Sequence, residues 1–153
     1  MVIAPGIYDF NEWFATWRTN SSAPFSMTGR WAVGDFYDGY KQTYSFGGAA
    51  QLKGRLNTSM TLVRNQIQLP AGQYSTNLVQ GRVEYGFSTR TFVNALVQYN
   101  TDVREWSSNI RLNIIHRPLS DFFIVYNNRR DTERGGGLID RALIAKMTYM
   151  VAF

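Results

Sequence analysis

Apolar and polar residues take turns along almost the whole of this chain, in runs of roughly 11 to 15 residues separated by Gly, Pro, Asp and Asn turn signals. Successive side chains of a β-strand point to opposite sides, so a period of two sorts a sequence into two faces of a sheet. No run carries a convincing helical stripe. The cleanest segment is YSTNLVQGRVEYGF, in which Val79, Val83, Tyr85 and Phe87 alternate with Gln80, Arg82 and Glu84. Near the start, Trp13, Ala15 and Trp17 oppose Glu12, Thr16 and Arg18, and Phe25, Met27, Trp31 and Val33 oppose Ser26, Thr28 and Arg30. The segments KQTYSFGGAAQLK, RLNTSMTLVRNQIQ, TRTFVNALVQYN, EWSSNIRLNIIHR and DFFIVYNN continue the pattern, and a last strand runs from Leu138 to Phe153. YDGY reads as an Asp-Gly hairpin turn, and RRDTERGGG as the longest polar loop. That makes nine strands with short connections, hence antiparallel neighbours in one all-β, up-and-down domain over residues 1–153.

Alternation does not say whether the apolar face points into a core or out into lipid. Three features favour a transmembrane barrel over a soluble lipocalin-like one that binds an apolar ligand inside. The strands are long enough to cross a bilayer at a tilt, where about 9–11 residues suffice, whereas strands of soluble proteins average about five or six. The polar positions carry Asn, Gln, Ser and Thr with isolated charges: charged residues make up 18% of the chain, against about 25% in ordinary soluble domains. Aromatics reach 15%, and many lie on the apolar face near segment ends, where amphipathic rings meet the membrane–water boundary. Trp17 and Phe25 flank the first turn, Tyr85 and Phe87 precede the fifth, Tyr99 and Trp106 flank the sixth, and Tyr149 and Phe153 close the chain. The expected setting is therefore a lipid bilayer, with its lipid as the first partner.

Other classes find less support. The net charge of +5 is far from the dense basic blocks of nucleic-acid arms. Cys is absent, which removes disulfides and thiolate metal sites. No stretch of about 18 apolar residues exists to form a transmembrane helix, and MVIAPGIYDF lacks the basic and apolar regions of a signal peptide. His116 is the only histidine, with Ser107 and Ser108 most of a strand away, so no catalytic constellation is expected and an outer-membrane barrel enzyme is the weaker alternative. The acids near the last loop lack calcium-loop spacing, and RGGGL is too short for a phosphate loop. No metal or cofactor is expected.

On the polar face, Arg18, Arg30, Lys41, Arg82, Arg111 and Lys146 outnumber their acidic company, chiefly Glu12 and Glu84. Lining a water-filled lumen, they would favour anionic solutes. Paired across it, they would plug it.

The terminal stripe of Met147, Tyr149, Val151 and Phe153 resembles the C-terminal signal of bacterial outer-membrane barrels, which implies engagement by the periplasmic barrel-assembly machinery. A longer stretch, LNIIHRPLSDFFIVYNNRRDTERGGGLIDRALIAKMTYMVAF, resembles the closing strands of a largely bacterial outer-membrane family. Those proteins join a carbohydrate-binding-like module, similar to family nine, to a C-terminal barrel of unknown function. HRPLSDFFIVYN, RRDT and DRALIAKMTY carry the likeness, LPAGQY and FSTRTFVNALVQYN extend it upstream, and residues 1–20 match less distinctively. Members are much longer and begin with an export signal. Single-chain bacterial barrels also use even strand numbers. The resemblance therefore implies the C-terminal part of a larger barrel, whose first strand pairs with further strands of the same chain or with a partner protein. The function expected is non-enzymatic: a channel, an anchor or a subunit of an envelope assembly. With Phe153 on the periplasmic side, the connections YDGY, LPAGQ, NTDVRE and RRDTERGGG lie outside, and the turns near Ser22, Gly54, Ser88 and Pro118 face the periplasm.

Overall fold

A computed structural model of the chain describes residue 7, residues 9–133 and residues 136–150. Its elements are nine β-strands: β1 (Glu12–Arg18), β2 (Phe25–Phe36), β3 (Gly39–Leu52), β4 (Leu56–Leu69), β5 (Gly72–Gly86), β6 (Thr91–Asn100), β7 (Glu105–Arg117), β8 (Ser120–Asp131) and β9 (Leu138–Thr148). They form one sheet in sequence order, each antiparallel to the next. The alternation in the sequence thus specifies the strands, and short turns make neighbours in sequence neighbours in space.

The sheet does not close: β1 and β9 are its two edges. Strand parity gives a reason. In an up-and-down meander, the first and ninth strands run in the same direction, so joining them would place a parallel seam in an otherwise antiparallel ladder.

Two boundaries differ from the sequence expectation. Arg129, Arg130 and Asp131 belong to β8 and pair with β7, and Arg129 and Arg130 also with β9, so the final loop is shorter than RRDTERGGG suggests. The ladder with β7 continues through Glu105↔Asp131, which holds these polar residues extended. β9 ends at Thr148, and Tyr149 follows it outside the strand. The outer part of the terminal stripe, Val151 and Phe153, lies outside the described residues.

Turn chemistry departs in an instructive way at YDGY. Phe36 pairs with Gly39, so the loop is Tyr37-Asp38, and Tyr37 takes a φ of 56°. Gly39 lies in the strand, where an added Cβ would stand 1.9 Å from the Gln68 carbonyl oxygen. The glycine permits close strand approach and is not the turn residue. At the opposite end, Arg117 pairs with Ser120 around Pro118-Leu119, and Leu119 has a φ of 61°. Pro followed by a positive φ is the type II pattern, a place usually filled by Gly.

Burial is inverted relative to a soluble sheet. The buried apolar residues among those described are Ala32, Ile67 and Val125, and no large side chain is fully buried. All three stand on the polar face, because Ala32 pairs with Thr43, Ile67 with Lys41 and Val125 with Arg111.

Candidate functional site

Register assigns every strand residue to a face. Arg30↔Ser45, Lys41↔Gly34, Arg82↔Ser59, Glu84↔Asn57, Arg111↔Asn94 and Lys146↔Phe123 lie on one face, with Arg18↔Thr28. All seven residues expected to line a lumen share that face.

The polar face is knitted by cross-strand hydrogen bonds. Thr43 Oγ1 donates to Asn65 Oδ1 at 2.9 Å, and Asn65 Nδ2 donates to Thr76 Oγ1 at 3.1 Å, tying β3, β4 and β5 together. Further along, Gln98 Nε2 donates to Gln80 Oε1 at 2.9 Å, and Asn109 Nδ2 donates to Asn127 Oδ1. Asn113 Oδ1 is the exception, buried with no hydrogen-bond partner among the described residues.

The cations do not stand free as a row. Arg30 bonds Glu12 at 2.8 Å and lies over the Phe14 ring, 4.5 Å from its centroid. Lys41 stands over Phe36 at 5.4 Å. Arg111 and Lys146 approach Phe123 from neighbouring strands, at 5.6 and 6.0 Å. Ring faces are electronegative, so each contact partly neutralises a charge without an acid. The phenylalanines Phe14, Phe36 and Phe123 were not among the expected site residues. Their signal in the sequence is a break in alternation, an aromatic ring at a polar position.

The other face carries the aromatics. Trp17↔Gly29, Phe25↔Ala50, Tyr85↔Val93 and Tyr99↔Trp106 place Trp17, Phe25, Tyr85, Tyr99 and Trp106 together on it. Phe87, just beyond β5, packs edge-on to Tyr85 with centroids 4.8 Å apart. Met147 pairs with Phe122 on this face. The face is open: Trp13 is 79% exposed, Phe25 69% and Met147 70%. Tyr149 is exposed as well.

Along the strands this face is divided, which the sequence reading missed. In β3–β5 the row Phe46–Leu62–Val79 is apolar, but the next row towards the Tyr37 end contains Arg64 and Asn77, and the one beyond contains Gln42, Gln66 and Ser75. In β7–β9 the change comes between the row Ile110–Tyr126–Leu143 and the row Ser108–Asn128–Arg141. Following the register across β5, β6 and β7, the second boundary lies two rows nearer the Leu119 end. Rows on one face are about 6.7 Å apart and strands about 4.8 Å apart, so two rows over four strand steps slope at roughly 35° to the hydrogen-bonding direction. The apolar area is an oblique band.

The two ends differ in charge. Lys53, Arg55 and Arg90 stand in the turns at one end, joined by Arg117 at the tip of β7. The opposite connections carry Asp38, Asp102 and Glu133, with Arg104 paired to Glu133.

His116 falls at the register shift between Ile115 and Arg117, at the far end of β7 from Ser107 and Ser108. Among the described residues, no group of three His, Cys, Asp or Glu is placed to hold a metal. No helix of the described residues is long and apolar enough to cross a membrane, which does not bear on strands. Compared with protein-family models, curated proteins and solved structures, the chain finds no match in any of the three.

Proposed function

We propose that this chain is part of an integral, non-enzymatic β-barrel of the bacterial outer membrane, with its aromatic face in lipid and its Asn- and Arg-bearing face towards water. The observation that carries this reading is the inverted burial. The four tryptophans stand open on one face while the buried apolar residues Ala32, Ile67 and Val125 lie on the other. In water a contiguous apolar surface of that extent drives association; acyl chains cover it.

The dimensions agree. Phe25–Val33 and Val79–Phe87 each span about nine residues, or about 27 Å along a strand at ~3.4 Å per step. At a tilt of roughly 35° the band is about 22 Å tall, close to the ~25 Å of outer-membrane barrels. The slope of the apolar boundary falls at the lower end of the strand tilt, about 35–45°, that such barrels require. Tyr99 then marks one edge of the band, and Phe25, Tyr85, Phe87 and Tyr149 the other, with Trp106 beyond the boundary on β7.

Open edges at β1 and β9 leave backbone donors and acceptors unpaired, which lipid does not tolerate. An odd number of additional strands, from the same chain or a partner, would complete an all-antiparallel barrel. This agrees with the resemblance to longer outer-membrane proteins. Within such a barrel the polar face would enclose a lumen with an excess of cations, partly neutralised by phenylalanine rings. The role is then that of an anion-preferring channel or of a plugged anchor and assembly subunit.

Flotation tests the bilayer reading. The protein, refolded from denaturant in the presence of lipid vesicles, should rise with them through a density gradient and resist carbonate extraction. A monodisperse species remaining in the aqueous fraction without detergent would refute it. Conductance across a planar bilayer then separates channel from anchor, and a chloride-over-potassium preference is expected if the lumen is open.

A further inference from the structure

A groove of about 680 Å³ lies across β1–β5 on the aromatic face. Gly29 lies at its floor, covered by the Trp17 indole; an added Cβ there would stand 2.0 Å from Trp17 Nε1. Trp31, Tyr44 and Phe46 form the walls, and Trp17 and Phe46 lie 6.2 Å apart between ring centroids. At the rim stands Arg64, paired across the sheet with Tyr44 on one side and Asn77 on the other. The ion pairs among the described residues are Arg30–Glu12, Arg82–Glu84, Arg104–Glu133 and Arg129–Glu105, so Arg64 joins none of them. The acid closest in register on this face, Asp35, is in the β2–β3 row beyond Gln42.

We infer that this groove is a lipid site, holding one acyl chain against Trp17 and Trp31 with an anionic phosphate headgroup on the Arg64 guanidinium. The inference rests on the bilayer reading above. Two independent features point to an anionic lipid as occupant. The groove begins in the apolar band and ends at the row where the face becomes polar, which is the depth at which a lipid changes from chain to headgroup. Arg64, with no carboxylate partner, occupies that row between Tyr44, whose hydroxyl donates to Gln42 Oε1 at 2.8 Å, and Asn77, and the planar fork of a guanidinium matches phosphate oxygens. A zwitterionic lipid would fill the apolar part equally well but would bring its own cation to the rim.

Tryptophan quenching reads the site directly. In a Trp13→Phe, Trp106→Phe background, the remaining Trp17 and Trp31 fluorescence reports the groove. The protein is reconstituted in phosphatidylcholine vesicles containing a small fraction of either dibrominated phosphatidylglycerol or dibrominated phosphatidylcholine. The anionic lipid should quench at roughly five-fold lower mole fraction, and Arg64→Gln should remove that preference while Arg64→Lys keeps most of it. Added salt should weaken it. Equal quenching by both lipids, or a preference that survives Arg64→Gln, overturns the site but leaves the barrel standing. No quenching by either removes the bilayer reading and the site with it.

Discussion

Val83 and Val125 are the same residue type in the same sheet, on opposite faces. Val83 stands on the aromatic face at 41% exposure; Val125, flanked by Arg111 and Ile144 on the polar face, is 6% exposed. Glycines repeat the contrast. On the polar face, a Cβ on Gly39 would strike the Gln68 backbone, and one on Gly47 would come within 2.6 Å of the Thr28 hydroxyl; on the aromatic face Gly81 has nothing within 4 Å, while Gly29 is covered by the Trp17 side chain. The polar face is therefore the packed one. Its neighbours are short, hydrogen-bonded and close, while the aromatic face is made of large side chains that touch little of their own protein. That is the arrangement of a sheet whose apolar solvent lies outside the chain.

The sharpest way to break this comparison is a charge on each face. Val83→Arg should cost about 2–4 kcal/mol of folding free energy in bilayers, the penalty for a cation near the midplane on a lipid face. Gln98→Arg on the polar face should cost less, about 0.5–1.5 kcal/mol, for the hydrogen bond to Gln80 that it removes. Denaturant titration of the two variants in vesicles provides both values, and equal small effects would mean that the aromatic face meets water.

Packing gives the next largest difference. Gly39→Ala should destabilise by roughly 1–3 kcal/mol, since the methyl group meets backbone and not a movable side chain. Gly81→Ala should be neutral or stabilise by up to about 1 kcal/mol, because the site is open and the unfolded chain loses freedom. A reversal of this order in the same titration would show that the two faces are packed the other way round.

A smaller effect is expected at the turns. Leu119 holds a left-handed conformation with an exposed side chain. Leu119→Gly should therefore raise stability by about 1 kcal/mol, the cost that a Cβ pays in that region. A loss of stability would mean that the leucine side chain contributes more, through lipid or a partner, than its backbone strain subtracts.

The least effect belongs to the Arg30–Glu12 pair, whose side chains are 40% and 47% exposed. A double-mutant cycle with Arg30→Gln and Glu12→Gln should return a coupling of about 0.2–1 kcal/mol that shrinks with salt. A much larger coupling would place the pair in a dry lumen.

Much of the fold was legible because a strand's two faces are written in alternate letters. Trp13, Ala15 and Trp17 against Glu12, Thr16 and Arg18 needed no tertiary information, and EWSSNIRLNIIHR matches β7 to the residue. The site was less legible. The seven charged residues expected on one face do share it, yet Phe14, Phe36 and Phe123, which stand under four of them, were read past because single aromatics at polar positions look like noise in a periodic pattern. Arg64 was missed for a related reason. It continues the phase of Met60 and Leu62, and only knowledge of depth along the strand distinguishes a break in the apolar stripe from its edge.

What the sequence determined by itself is the strand set, its order and the composition of each face, since all three follow from period and turn spacing along one dimension. Depth and closure were decided only in three dimensions. Each strand is offset from the next by its hydrogen-bond register, so an apolar stretch common to all strands becomes a band sloping across the sheet. Whether the edges meet depends on strand number and direction, which no local pattern encodes.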